Sequence, residues 1–325
     1  QSHIFIAALA VALVAVSLAL PLWLNRYNFS AEIDAKKASR LFWIVIAVGI
    51  VFRILWVSAY PPVQQSDFLD YWNAAIRLIE EGKYYYILDG NLLLSWRPPG
   101  YPLLLAALMK FFGPASWIPF AINITCFVVI CFNVRALTEM LVGNRTAGVF
   151  ATALIAAWPS FIVGSGYPAS EWFSLALLTA SFWAIIKAQG IGWRYAVLAG
   201  LCMGVGVLVR PGFIFLPFCW FIYFVLGRHV DRRLVMINLV AVIVAVAVFA
   251  PWSFRTHQVL NAFIPVSSHG GDVFYRANNP LANGTFLERG ERDLGALMGD
   301  EVKWNRTGMA WGKEWISGNP LDLIK

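Results

Sequence analysis

"LVMINLVAVIVAVAVFAP", residues 234–251, decides the fold. The run carries no charged side chain and approaches the roughly 20 residues that a helix needs to cross a bilayer. Similar runs lie at about 3–24, 41–60, 117–134, 147–164, 171–188, 195–210 and 212–227. With 59% hydrophobic and 13% charged residues, the chain is too apolar for an ordinary soluble domain. A closed β-barrel would alternate apolar and polar residues rather than keep such continuous runs. The expectation is an all-α polytopic membrane protein. Residues 1–251 form its transmembrane helical domain, with about eight spans and a loop at 61–100. Residues 252–325 form an extracytoplasmic region.

The net charge of +7 does not point to a nucleic-acid partner, because its placement explains it. Arg26, Lys36, Lys37 and Arg40 share one connection, Arg135 and Arg145 another, then Lys187 with Arg194, then Arg228, Arg232 and Arg233. These connections alternate along the chain, so the positive-inside rule assigns them to the cytoplasm. Residues 61–100 and those after Trp252 are then outside. Cys126, Cys131, Cys202 and Cys219 fall inside spans as small hydrophobes, and His3, His229, His257 and His269 are scattered without metal-site spacing. The first run lacks a basic leader and a clear cleavage site, and reads as a helix rather than a signal peptide. The ending "WISGNPLDLIK" reads as the approach to a further span.

Outside the membrane, "QQSDFLDYWNAAIRLIEEGKYYY" at 64–86 is a charged, aromatic island. Phe68, Leu69, Trp72, Ile76 and Ile79 follow helical steps, with Asp67, Asp70, Asn73 and Arg77 on the other face. That pattern describes an amphipathic helix lying at the membrane–water interface, with Ser66 as N-cap and Gly82 as stop. A further helix or two is expected over 293–316, burying Leu294, Leu297, Met298, Trp304 and Trp311.

Asp67 stands at the first helical position, where the helix dipole favours negative charge. It either only complements that dipole or serves as an ionised general base. Asp70 shares its face, with Arg77 as a candidate ion-pair partner. In "SWRPPGYP", 95–102, Pro98 and Pro99 impose extended backbone around Arg97, and Gly100 permits a bend before Tyr101. Arg97 either snorkels or forks onto a phosphate. Arg210, in "LVRPGFIFLP", is costly in so apolar a stretch and marks a site or a buried ion pair. In "YPASEWF", Ser170 reads as a cap for a helix beginning at Glu171. Four segments thus bring Asp67, Arg97, Glu171 and Arg210 toward one membrane face. Cations at headgroup depth suit a lipid-linked phosphate leaving group, and a water-facing carboxylate suits an acceptor hydroxyl or amine.

These stretches, in this order, resemble the GT-C glycosyltransferases related to protein O-mannosyltransferases and lipid A aminoarabinose transferases. "PWSFRTHQVLNAFIPVSSHGGDVFYRANNP", 251–280, is similar to the same superfamily, and the likeness runs over most of residues 40–320. The resemblance implies a GT-C-type bundle whose outer loops carry amphipathic helices. It also implies polyprenyl-phosphate-linked sugar donors, transfer on the outer face of a membrane such as the bacterial inner membrane, and inversion at the sugar. Asp67 corresponds to the catalytic aspartate, and Arg97 to the basic residue that meets donor phosphate. Phe68 follows Asp67 where many relatives have a second acid, so Asp70 is expected to supply it. Asp70 and Glu171 would orient the acceptor or tune Asp67, and Arg210, Tyr71 and Tyr101 would help bind substrate. The acceptor is a lipid, a glycan or a protein, and membrane lipid surrounds the spans. The residues require no metal, although paired carboxylates leave room for a divalent ion. By the same resemblance, one extra span precedes the usual first one and the C-terminal spans are missing. The competing function is a transporter or flippase of lipid-linked sugars, which would also want outer cations but often shows internal repeats and ionisable groups near the bilayer midplane.

Overall fold

The computed structural model describes residues 32–226, 231–285 and 290–320. The run at 3–24 lies outside the described residues. Among the described residues, four helices are long and apolar enough to cross a membrane: α1 (Ala35–Ala59), α4 (Trp117–Val142), α7 (Ser170–Ile191) and α10 (Arg232–Leu260). A bent pair of helices passes the same test only when taken together, as a broken span or a re-entrant loop. It consists of α5 (Arg145–Ala157) and a short α6 (Pro159–Val163) that passes into a 3-10 turn, with a bend of 57°. Proline at 159 pushes Trp158 into extended backbone, and that ends α5. Arg53, fully buried in α1, donates to the carbonyl of Ala156 at the frayed end (3.2 Å) and stacks on Phe127. A costly intramembrane cation is thereby spent on an orphan helix carbonyl. The protein is an all-α polytopic membrane protein.

The runs at 195–210 and 212–227 are helices shorter than a full span: α8 (Trp193–Val209), then a 3-10 turn and α9 (Leu216–Leu226). α8 packs along both α7 and α10. Gly200 and Gly204 make the second contact possible. A Cβ on Gly200 would lie 2.5 Å from the Ala241 carbonyl oxygen, and one on Gly204 2.8 Å from that of Ala245. Small residues four apart, facing small residues four apart, let two membrane helices approach backbone to backbone. α10 continues through Pro251 to Leu260, beyond the boundary read at 251.

The island contains the expected helix, α2 (Asp67–Glu80), and then a feature the periodicity did not suggest. Tyr86–Leu88 and Asn91–Leu93 pair as a small antiparallel hairpin, β1 and β2. Asp89 and Gly90 both take positive φ at its tip (47° and 78°), the geometry of a two-residue hairpin turn. A short apolar helix, α3 (Gly100–Phe112), packs along α2. After α10 come α11 (Gly270–Ala277) and α12 (Glu301–Gly318). The expected helix over 293–316 is therefore present, and Leu294 and Trp304 are buried with Leu297, Met298 and Trp311 packed against them. α11 and α12 touch closely because position 271 is glycine: a Cβ there would land on the Asn305 carbonyl oxygen.

Candidate functional site

α2 presents its apolar side, Phe68, Tyr71, Trp72, Ala75 and Ile76, to a core shared with α3, α4 and α7. Asp67 and Asp70 stay on the opposite side. Asp67 is the first residue of the helix, as its sequence position suggests. Ser66 does not cap it. Its backbone takes φ 51°, a strained region for a residue with a side chain, and its hydroxyl faces Asp67 Oδ1 at 3.4 Å.

Arg97 meets both aspartates. Its Nη2 donates to Asp67 Oδ1 (2.6 Å) and to Asp70 Oδ2 (3.0 Å), and its Nε donates to Asp70 Oδ2 (3.2 Å). Among the described residues Nη1 has no hydrogen-bond partner. The guanidinium lies over Trp96 (4.2 Å) and nearly over Tyr71 (5.6 Å). Arg97 is the ion-pair partner of Asp70, and Arg77 is not. Arg77 reaches the Tyr85 carbonyl (3.2 Å) and the Tyr85 ring instead, because it lies two turns further along α2. Burial raises the Asp70 carboxyl above the ordinary aspartate range, and the charge of Arg97 opposes that rise.

The loop bearing Arg97 is fixed from several sides. Tyr84 hydroxyl donates to the Arg97 carbonyl (2.8 Å). Burial pushes the phenols of Tyr84 and Tyr86 above their usual range, so both remain neutral. Arg255, from the end of α10, donates to the carbonyls of Leu94 (2.5 Å) and Tyr84 (2.9 Å).

Asp67, Asp70 and Arg97 line a cavity of about 910 Å³. Its far wall is α11, where Asp272 accepts from Arg276 (2.6 Å) and contacts His269 Nε2 (3.1 Å). Sequence reading missed this cluster. The usable signal was present in "HGGDVFYRA", where His269, Asp272 and Arg276 fall three and four residues apart and so share a helix face.

Glu171 and Arg210 do come together, as an ion pair, but they do not line this cavity. They stand behind Tyr71, whose hydroxyl lies 3.4 Å from Ser170 Oγ, which is also 3.4 Å from Arg210 Nη2. Arg210, expected at the donor phosphate, pairs here with Glu171 outside this cavity. Ser170 is not a cap either. α7 starts at Ser170 itself, leaving its hydroxyl to Tyr71 and Arg210. Tyr101 is 1% exposed, edge-on to Tyr71 in the core, with no partner for its hydroxyl. It supports the Tyr71 wall rather than facing the cavity. Among the described residues, no group of three or more His, Cys, Asp or Glu side chains is placed to hold a metal ion.

The arrangement offers a water-accessible carboxylate, a second carboxylate in a drier setting, and an arginine able to release one of them in favour of an anion. No curated protein matches the chain. Residues 96–254 match the family model described as dolichyl-phosphate-mannose-protein mannosyltransferase, a stretch running from beside Arg97 into the last part of α10. Over that stretch the chain is similar to this GT-C-type family of membrane glycosyltransferases.

Proposed function

We propose that the protein transfers a sugar from a polyprenyl-phosphate donor to a lipid, glycan or protein acceptor, on the outer face of a bacterial plasma membrane and with inversion at the anomeric carbon. The observation that carries this reading is the sharing of Arg97 between Asp67 and Asp70 at the wall of one cavity. Asp67 takes the proton of the acceptor as its oxygen or nitrogen bonds to the anomeric carbon. The bond from that carbon to the phosphate oxygen breaks with its electron pair leaving on the phosphate, and Arg97 stabilises the charge that develops there. Asp70 orients Arg97 and the acceptor. Glu171 and Arg210 act at one remove, by holding Ser170 and through it Tyr71. The apolar spans accommodate the prenyl chain.

The test is transfer itself. Membranes containing the protein are incubated with radiolabelled polyprenyl-phosphate sugars, and the label is followed to an acceptor. Label that crosses the membrane while staying on its lipid would identify a flippase instead.

A further inference from the structure

Glu301 is buried, yet it has no part in the chemistry above. It is the first residue of α12, and Asp300 already caps that helix by accepting from Val302 N and Lys303 N. The Glu301 carboxylate is therefore free to turn away from its own helix. Its Oε2 accepts from Leu94 N (2.6 Å), and its Oε1 accepts from Ser95 N (3.1 Å) and Ser268 Oγ (2.7 Å). A charged acceptor taking several donors is among the stronger arrangements available inside a protein.

The partners of Glu301 belong to two different walls. Leu94 and Ser95 lead directly into Trp96 and Arg97, and Ser268 leads directly into His269 and α11. A backbone bond from Ser268 N to Ser95 O (2.8 Å) runs beside the carboxylate, and Ser95 Oγ reaches Val266 O (3.3 Å). Arg255 holds the opposite side of the same peptide segment, by the Leu94 carbonyl. Trp96 then packs on His269 across the join (5.1 Å). The Glu301 carboxylate, contributed by a helix outside the family-matched residues, thus ties the segment bearing Arg97 to the one leading into the His269–Asp272–Arg276 face.

We infer that Glu301 is a positioning residue that fixes Arg97 and α11 at the separation an anionic lipid headgroup needs. The headgroup part of this inference rests on the donor reading above; the staple itself does not. Every hydrogen-bond partner of Glu301 is a donor, so glutamine cannot replace it. Whichever way the amide is turned, its NH2 group faces an N–H or O–H that has lost its acceptor.

The experiment compares the full-length parent with Glu301→Gln and Glu314→Gln in lipid nanodiscs. Glu314 lies on the same helix in an exposed pair with Arg292. Hydrogen–deuterium exchange reads the staple, and binding of polyprenyl phosphate reads the headgroup site. In Glu301→Gln, exchange should quicken across 93–97 and 266–277 and stay parental in α4, α7 and α10. Affinity for polyprenyl phosphate should fall about 10- to 100-fold, the scale of a small misplacement at a preorganised site. The donor KM should rise with kcat little changed, because Asp67 is not held by Glu301. Glu314→Gln should match the parent throughout. Parental exchange in Glu301→Gln would overturn the staple, and faster exchange with parental affinity would overturn its positioning role. A parent that binds no polyprenyl phosphate would overturn the donor reading and with it the headgroup assignment, while exchange still decides the staple.

Discussion

Nη2 of Arg97 sits 2.6 Å from Oδ1 of Asp67, so the cation proposed for the phosphate and the carboxylate proposed for the proton are bound to each other. A phosphate that captures this nitrogen also frees the carboxylate. On the proposed reading, donor binding and exposure of the base would be one event.

The first prediction concerns the shape of that cation. Arg97→Ala should weaken binding of a non-transferable donor analogue strongly. Arg97→Lys should recover part of the loss, because an ammonium restores charge but cannot span Asp67, Asp70 and a phosphate with one planar fork. Binding measured in nanodiscs checks it, and parental affinity in both variants would remove Arg97 from the phosphate site.

A second prediction follows from the raised Asp70 carboxyl. Because the shift is upward, Asp70 takes a proton, as pH falls, before an ordinary aspartate at about 3.9 would. The neutral acid relaxes its hold on Arg97, whereas the phosphodiester donor keeps its charge. Donor affinity should therefore rise on acidification through that window, and Asp70→Asn should flatten the dependence. An affinity that falls on acidification in the parent, or an unchanged slope in Asp70→Asn, contradicts the coupling.

Packing supplies a third. Gly200→Val inserts a branched side chain where even a Cβ meets the Ala241 carbonyl at 2.5 Å. Overpacking of this kind costs about 1–3 kcal/mol, read as a lower melting temperature in detergent. Gly190→Val, in α7 where a Cβ meets nothing within 4 Å, should cost much less.

What could be read in the sequence divides along physical lines. Spans were legible because bilayer crossing demands long apolar runs, and α2 because its two faces differ so sharply. Asp67 and Arg97 were legible as residues out of place in their surroundings. Their mutual ion pair was not, since it depends on the path of the chain between 80 and 97, where a hairpin of three-residue strands carries no periodicity. Arg53 was overlooked for a related reason: its partner, the Ala156 carbonyl, is a backbone group released by a proline in another helix. Ser66 and Ser170 show the limit of local rules. Both are good caps by type, but the Ser66 hydroxyl turns to the neighbouring Asp67 carboxylate and that of Ser170 to Tyr71 and Arg210.

The charge bias predicts which side each loop occupies. With Cys219, the exposed one among the described cysteines, replaced by alanine, a cysteine at Asp89 should react with a membrane-impermeant reagent in intact cells. One at Asn144 should react only after permeabilisation. The reverse pattern would place the cavity in the cytoplasm.

The remaining prediction separates the two carboxylates. Asp67 is more than half exposed at the mouth of the cavity, whereas Asp70 is drier and makes two of the three Arg97 hydrogen bonds. The exposed group can meet an acceptor, and the other holds the arginine in place. Asp67→Asn keeps the side-chain shape but cannot take a proton, and loss of general-base catalysis costs about 10²–10⁴ in rate. Turnover should fall at least that far while donor binding is retained, or even improves as Arg97 is released. Asp70→Asn should lower turnover less and should alter donor KM, because Arg97 loses its anchor. Single-turnover kinetics at saturating donor separate these effects, since they read the chemical step without the binding step. Near-parental turnover in Asp67→Asn together with a dead Asp70→Asn would exchange the two roles. Two active variants would reduce α2 to an interfacial anchor.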